Sequence, residues 1–116
     1  MLDKGIRLCF GSDAPVDSAD VIRSIHCAVN RQDINFYPEK GWLPNEKISV
    51  EEAVRCYTVN SAYASFEENI KGSLEKGKLA DFVVLDRDIF TIEKSQILST
   101  KIDSTIIGGE ILYINI

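Results

Sequence analysis

Only one histidine, His26, stands in the whole chain of 116 residues. Histidine is the commonest metal ligand, and a catalytic zinc takes three protein ligands. A multi-histidine centre is therefore excluded for this chain alone. His26 lies beside the apolar face of a helical pattern, where a lone histidine is read as a packed or surface residue rather than a ligand. Cysteine is scarce as well. Cys9, Cys27 and Cys56 are odd in number and widely spaced, which excludes a disulfide framework and a zinc ribbon. Each lies in an apolar stretch and is expected to be a buried, reduced thiol, which fits a cytoplasmic compartment. Long hydrophobic runs are missing too. Phe82-Val83-Val84-Leu85 is among the longest and is far too short to cross a bilayer. The start Met1-Leu2-Asp3-Lys4-Gly5 has no apolar core of a signal peptide. Basic clusters are absent: Lys and Arg are scattered among acidic neighbours in a chain of formal net charge −5. No nucleic-acid footprint results, and no membrane partner is expected.

What is present is enough for one folded domain. Hydrophobic residues make up 45% and charged residues 27%, with no low-complexity run. Both values lie in the globular range rather than the disordered one.

Along the chain, residues 6–10 (Ile-Arg-Leu-Cys-Phe) read as a short strand apolar on both faces. It stops at Gly11-Ser12-Asp13-Ala14-Pro15, a turn in which the proline pushes Ala14 toward an extended conformation. Residues 19–31 read as a helix with Ser18 as N-cap, Asp20 in the first turn and an inner face of Val21, Ile22, Ile25, Ala28 and Val29. A long polar loop follows over residues 32–47, anchored by Phe36, Tyr37 and Trp42. Loops of this length in small domains are often functional or cover something. Lining a substrate entrance and covering helix ends both fit it.

Ser49-Val50-Glu51-Glu52 is a capping box. It predicts a second helix running to about Phe66, with Val50, Ala53, Val54, Tyr57 and Ser61 inside. Gly72-Ser73-Leu74 reads as a short strand, Gly77 as a turn, and residues 82–86 as a strand rich in β-formers. Residues 93–98 suggest a helical turn. Two strand-like runs flank Gly108-Gly109 and predict a two-residue hairpin over 104–114. As it stands the chain is α+β: one strand, two helices, then three or four strands. The lone first strand wants neighbours that this chain does not supply.

Three stretches together resemble a known family. The first is the strand followed by Gly11-Ser12-Asp13-Ala14-Pro15, an amphipathic helix and Arg31. The second is Ser49-Val50-Glu51-Glu52-Ala53-Val54-Arg55-Cys56-Tyr57-Thr58. The third is Lys71-Gly72-Ser73-Leu74-Glu75-Lys76-Gly77-Lys78-Leu79-Ala80-Asp81-Phe82-Val83-Val84-Leu85-Asp86. In this order they resemble the C-terminal end of a metal-dependent amidohydrolase, in the YtcJ-like branch called amidohydrolase family 3. The likeness covers nearly all of the chain.

The resemblance implies an architecture and a chemistry. Residues 1–68 would be the last strand and helices of a (β/α)8 barrel, and residues 69–116 the C-terminal strands of a small β-sandwich. The parent activity would be hydrolysis of carbon–nitrogen bonds other than peptide bonds, in a small amide-type substrate. In such barrels the active site lies at the C-terminal ends of the strands, where Asp13 falls. The resemblance makes Asp13 both a metal ligand and the acceptor of a proton from the attacking water, because a divalent cation lowers the pKa of its bound water and a nearby carboxylate collects the proton. Without that likeness, Asp13 reads as ordinary turn chemistry.

The parent cofactor would be a divalent metal, zinc by expectation. The family's remaining ligands have no counterpart here, so the chain alone is expected to bind none and to be inactive. Asp81 and the glycines around it read as structural. The alternative to a hydrolase segment is a non-catalytic, self-associating module. In either case the unpaired strand edges at 6–10 and 104–114 invite a homo-oligomer.

Overall fold

The computed structural model describes residues 1–116, which form three α-helices, a three-stranded antiparallel sheet and three short 3-10 turns. They divide into two compact units. One comprises Met1–Gly11, Arg55–Asp86 and Lys101–Ile116, and the other Ser12–Val54 and Arg87–Thr100.

The first unit carries the sheet, in the order β1 (Phe82–Leu85), β2 (Ile102–Ile107), β3 (Glu110–Ile114). Phe82 faces Ile106 and Leu85 faces Ile102, with a shift in register between Val84 and Leu85. Ile107 pairs with Glu110 across Gly108-Gly109. Both glycines have positive φ, 60° and 85°. A two-residue turn of this hand matches the twist of the strands, and it is nearly restricted to glycine, asparagine and aspartate. The turn is tied down: the Gly108 N–H donates to Asp81 Oδ1 at 2.7 Å, and the Gly109 N–H to the Ala80 carbonyl at 3.1 Å. Asp81 thus holds a hairpin end.

Residues 6–10 belong to the same unit but form no strand. A strand exists only through its ladder, and here the backbone groups find other partners. The Phe10 N–H donates to Cys56 O at 3.0 Å, Asn60 Nδ2 donates to Leu8 O at 2.7 Å, and the Ser61 hydroxyl lies 3.1 Å from Phe10 O. Phe10 meets Tyr57 edge-on, and the Arg7 guanidinium lies 3.9 Å from the centre of the Tyr63 ring. The strand expected at Gly72-Ser73-Leu74 is likewise absent. Gly72 instead packs tightly, since a Cβ there would come within 2.7 Å of the Ala62 Cβ. Gly77 makes its expected turn, with the Lys78 N–H donating to Glu75 O at 3.1 Å.

The second unit is built on α1 (Val21–Asn30). Its N-cap is Asp20, whose carboxylate accepts from the Ile22 and Arg23 amides at 3.0 and 3.3 Å. Ser18 was the expected cap. Its hydroxyl instead accepts from the Asp20 N–H at 3.1 Å, so the two residues act in series and the helix starts later than 19. Ile22, Ile25 and Val29 are buried, and so are Ile89 and Ile97, the latter on the 3-10 turn Lys94–Ser99 that packs on α1. Burying a side chain of this size contributes about 1.5–3 kcal/mol.

The capping box forms as expected. The Glu52 N–H donates to Ser49 Oγ at 3.1 Å, and the Ser49 N–H to Glu52 Oε2 at 2.8 Å. The helix it starts does not reach Phe66. It breaks at Thr58 (φ −118°, ψ −92°) into α2 (Val50–Tyr57) and α3 (Val59–Ala64). Thr58-Val59 is a β-branched pair with lowered helix propensity. Val50 and Ala53 are buried in the second unit and Cys56 in the first.

Candidate functional site

Asp13 adopts the left-handed conformation, φ 57°. Few residues other than glycine do so, and Asp is among those enriched there. Its carbonyl accepts from the Val16 N–H at 2.8 Å, closing a turn around Ala14-Pro15, whose peptide bond is cis. The Ala14 N–H approaches Ser12 Oγ at 3.4 Å. The turn is thus built with the Asp13 backbone, and the residue itself is exposed. The Asp13 carbonyl closes the turn, and no hydrogen bond engages its carboxylate.

No group of three or more His, Cys, Asp or Glu side chains is placed to hold a metal ion. Asp13 is a single donor. His26 offers nothing further, because it is fully buried and both ring nitrogens are engaged. Asn30 Nδ2 approaches His26 Nδ1 at 3.0 Å and must donate to it, so Nε2 carries the proton and donates to the Asp33 carbonyl at 3.1 Å. The Phe36 ring meets the imidazole edge-on at 5.2 Å. Asn30 Nδ2 also donates to Lys94 O at 2.9 Å. The sequence reading left His26 packed or at the surface, and the structure buries it. That reading missed Asn30, although the spacing of 26 and 30 on one helix face is a readable signal. The donors present do not fit a catalytic metal centre, which needs three protein ligands.

The loop after α1 is well ordered by its own bonds. Arg31 ends the helix in a left-handed cap (φ 57°), its N–H donating to Cys27 O at 2.9 Å. Gln32 Nε2 lies 3.0, 3.1 and 2.8 Å from the carbonyls of Phe36, Pro38 and Glu39. Asp33 Oδ1 accepts from the Asn35 and Tyr37 amides at 2.8 and 2.9 Å. These donors, Tyr37 foremost, hold the Asp33 carboxyl below its ordinary range. Gly41 lies so close to the helix end that a Cβ would sit 2.5 Å from Asn30 O. The loop therefore covers the C-terminal end of α1, while Asp13 precedes the N-terminal end.

The cysteines are free, but only Cys56 is buried as expected. Cys27 is half-buried and Cys9 is exposed. Cys9 sits on the segment without a strand partner, which is why its apolar context did not bury it. Burial pushes the Cys27 thiol up, against a smaller opposing effect of Arg23. Its thiolate, the reactive form, is thereby disfavoured.

The sequence profile of the amidohydrolase family matches residues 1–113. The chain belongs to the amidohydrolase family. Among its relatives, YtcJ of Bacillus subtilis (strain 168), named as an amidohydrolase, is 34% identical over 113 residues, covering 97% of this chain and 21% of the relative. The N-substituted formamide deformylase of Arthrobacter pascens is 33% identical over the same length, covering 97% and 20%. Among solved structures, an amidohydrolase from Thermotoga maritima MSB8 superposes with a TM-score of 0.71 at 19% identity, covering 98% of this chain and 24% of that one. At that identity the superposition speaks for the fold, an α+β arrangement with a three-stranded antiparallel sheet. This amidohydrolase-family chain spans about a fifth of the length of the two curated relatives. No helix in it is long and apolar enough to cross a membrane.

Proposed function

We propose that the chain is the C-terminal segment of a metal-dependent hydrolase of carbon–nitrogen bonds other than peptide bonds. Residues 1–68 then supply the last strand–helix unit of a (β/α)8 barrel, and residues 69–116 the closing strands of a small β-sandwich. The observation that carries this reading is the family match over residues 1–113, with the exposed carboxylate of Asp13 directly after residues 6–10. A segment of alternating partners, half bonded and without a ladder, is what a barrel strand becomes when its neighbours lie elsewhere.

Asp13 is the chain's contribution to the parent's divalent-metal site, with zinc as the expected metal and a small amide-type molecule as substrate. The chain's own donors do not complete that site, and no catalytic step is assigned to it alone. The scattered charge favours neither nucleic acid nor membrane as partner, and the free cysteines suit a cytoplasmic setting.

The test is a chimera in which residues 1–113 replace the matched stretch of the Arthrobacter pascens deformylase. It is expected to release formate from an N-substituted formamide. Asp13→Asn in the chimera should lower kcat about 100-fold or more, in the range for loss of a general base. Activity unchanged by Asp13→Asn in an active chimera would remove Asp13 from the site.

A second reading, a self-associating structural module, is favoured by one feature. The sheet leaves Val83, Ile111, Leu112 and Ile114 between 51% and 65% exposed. Val83 shares a face with Tyr113 and Ile111, while Leu112 and Ile114 lie on the other, so both faces carry exposed apolar side chains. Such surface marks interaction faces, and a homo-oligomer is the simplest way to cover it.

A further inference from the structure

The loop covering the end of α1 borders an open, shallow cleft of about 340 Å³ lined by Cys27, Arg31, Asp33, Tyr37 and Trp42, among others. That volume falls at the small end of the range for ligand pockets. The cleft lies at the C-terminal end of α1 and Asp13 is not among its lining residues, so the cleft is distinct from the carboxylate proposed for the hydrolytic site.

The polar groups around the cleft are mostly committed. Gln32 Nε2 serves three carbonyls, and one oxygen of Asp33 receives two backbone amides. Arg31 differs. Its Nε donates to Trp42 O at 3.0 Å and its guanidinium carbon lies 4.9 Å from the centre of the Trp42 ring, yet none of the chain's ion pairs includes it. An uncompensated guanidinium held over an aromatic ring is pre-organised to receive a planar anion. Tyr37 and Trp42 remain 73% and 64% exposed, which leaves aromatic surface for a flat apolar group. The two requirements meet in one ligand class. We propose that this cleft binds a small aromatic carboxylate, with the ring against Tyr37 and Trp42 and the carboxylate on Arg31.

Trp42 is the chain's one tryptophan, so its fluorescence reports the cleft directly. Titration of the full chain with phenylacetate should quench it saturably, with a dissociation constant in about the millimolar range for a ligand of this size. The neutral 2-phenylethanol should bind about tenfold more weakly, the margin of a charge-assisted hydrogen bond, and phenethylamine more weakly still. Arg31→Gln should abolish the preference for the acid. Because Arg31 also caps α1, Tyr37→Ala is the companion variant; it should weaken acid and alcohol alike. Amide shifts on adding phenylacetate should concentrate in residues 27–42. Linear, unsaturating quenching, equal response to acid and alcohol, tighter binding of the amine, or shifts spread away from 27–42 would each overturn the proposal.

Discussion

Replacing His26 by alanine should cost the second unit about 3 kcal/mol. The side chain is fully buried, and its removal has three consequences. The cavity it leaves carries a penalty of the kind seen for large-to-small core changes, about 2–5 kcal/mol. The hydrogen bonds to Asn30 and Asp33 go as well, and each unsatisfied buried partner costs about 1–3 kcal/mol. Against this, Asp33 is exposed and water can reach its carbonyl, while Asn30 keeps its bond to Lys94 O. The lower part of the summed range is therefore expected. Against a typical domain stability of about 5–15 kcal/mol the loss is large. Urea unfolding followed by Trp42 fluorescence reads it, since Trp42 lies in the same unit. His26→Gln, which offers one donor and one acceptor, should recover part of the loss. A change below about 1 kcal/mol for His26→Ala would refute the assignment of this histidine to packing and hydrogen bonding.

Three further outcomes follow from local structure. Ser49→Ala should lower stability by about 1 kcal/mol by removing half of the capping box, measured by the same denaturation; no change would mean that the box is redundant. Asp33 is held below its ordinary range by the Tyr37 and Asn35 amides, so its stabilisation is present above the unfolded carboxyl pKa and is lost as the pH falls through the lower folded value; Asp33→Asn should flatten that part of the acid-unfolding profile. Leu112→Lys, at a position 64% exposed, should leave the fold intact and shift the mass in solution toward a monomer; an unchanged mass would clear the face that carries Leu112 and Ile114 of a role in self-association.

Where local chemistry decides the conformation, the sequence was readable. Gly108-Gly109 specifies a hairpin because both positions need positive φ, and Ser49 with Glu52 specifies a helix start because each supplies what the other's backbone lacks. The stretch from Lys71 to Asp86 and the turn holding Asp13 pointed to the amidohydrolase family, to which the chain belongs. The misreadings have non-local causes. Residues 6–10 have the composition of a strand, but a strand needs a neighbour, and composition does not reveal one. The helix break at Thr58 goes with two β-branched residues in sequence, a weak local preference that longer-range bonds decide. The choice of Asp20 over Ser18 as cap hung on two equally good capping residues spaced by one alanine. His26 could be read as a packed or surface residue but not told which, and the Asn30 bridge that completes its burial required the actual approach of Lys94.

On the proposed function, Asp13 is one carboxylate of a metal site that the chain does not complete by itself. Elemental analysis of the purified chain, with its mass determined in the same buffer, tests this most directly. Zinc, iron and manganese are expected well below one equivalent per chain, whatever the mass. A full equivalent of one of these metals, lost on Asp13→Asn, would contradict it and show that copies of this chain build the centre on their own.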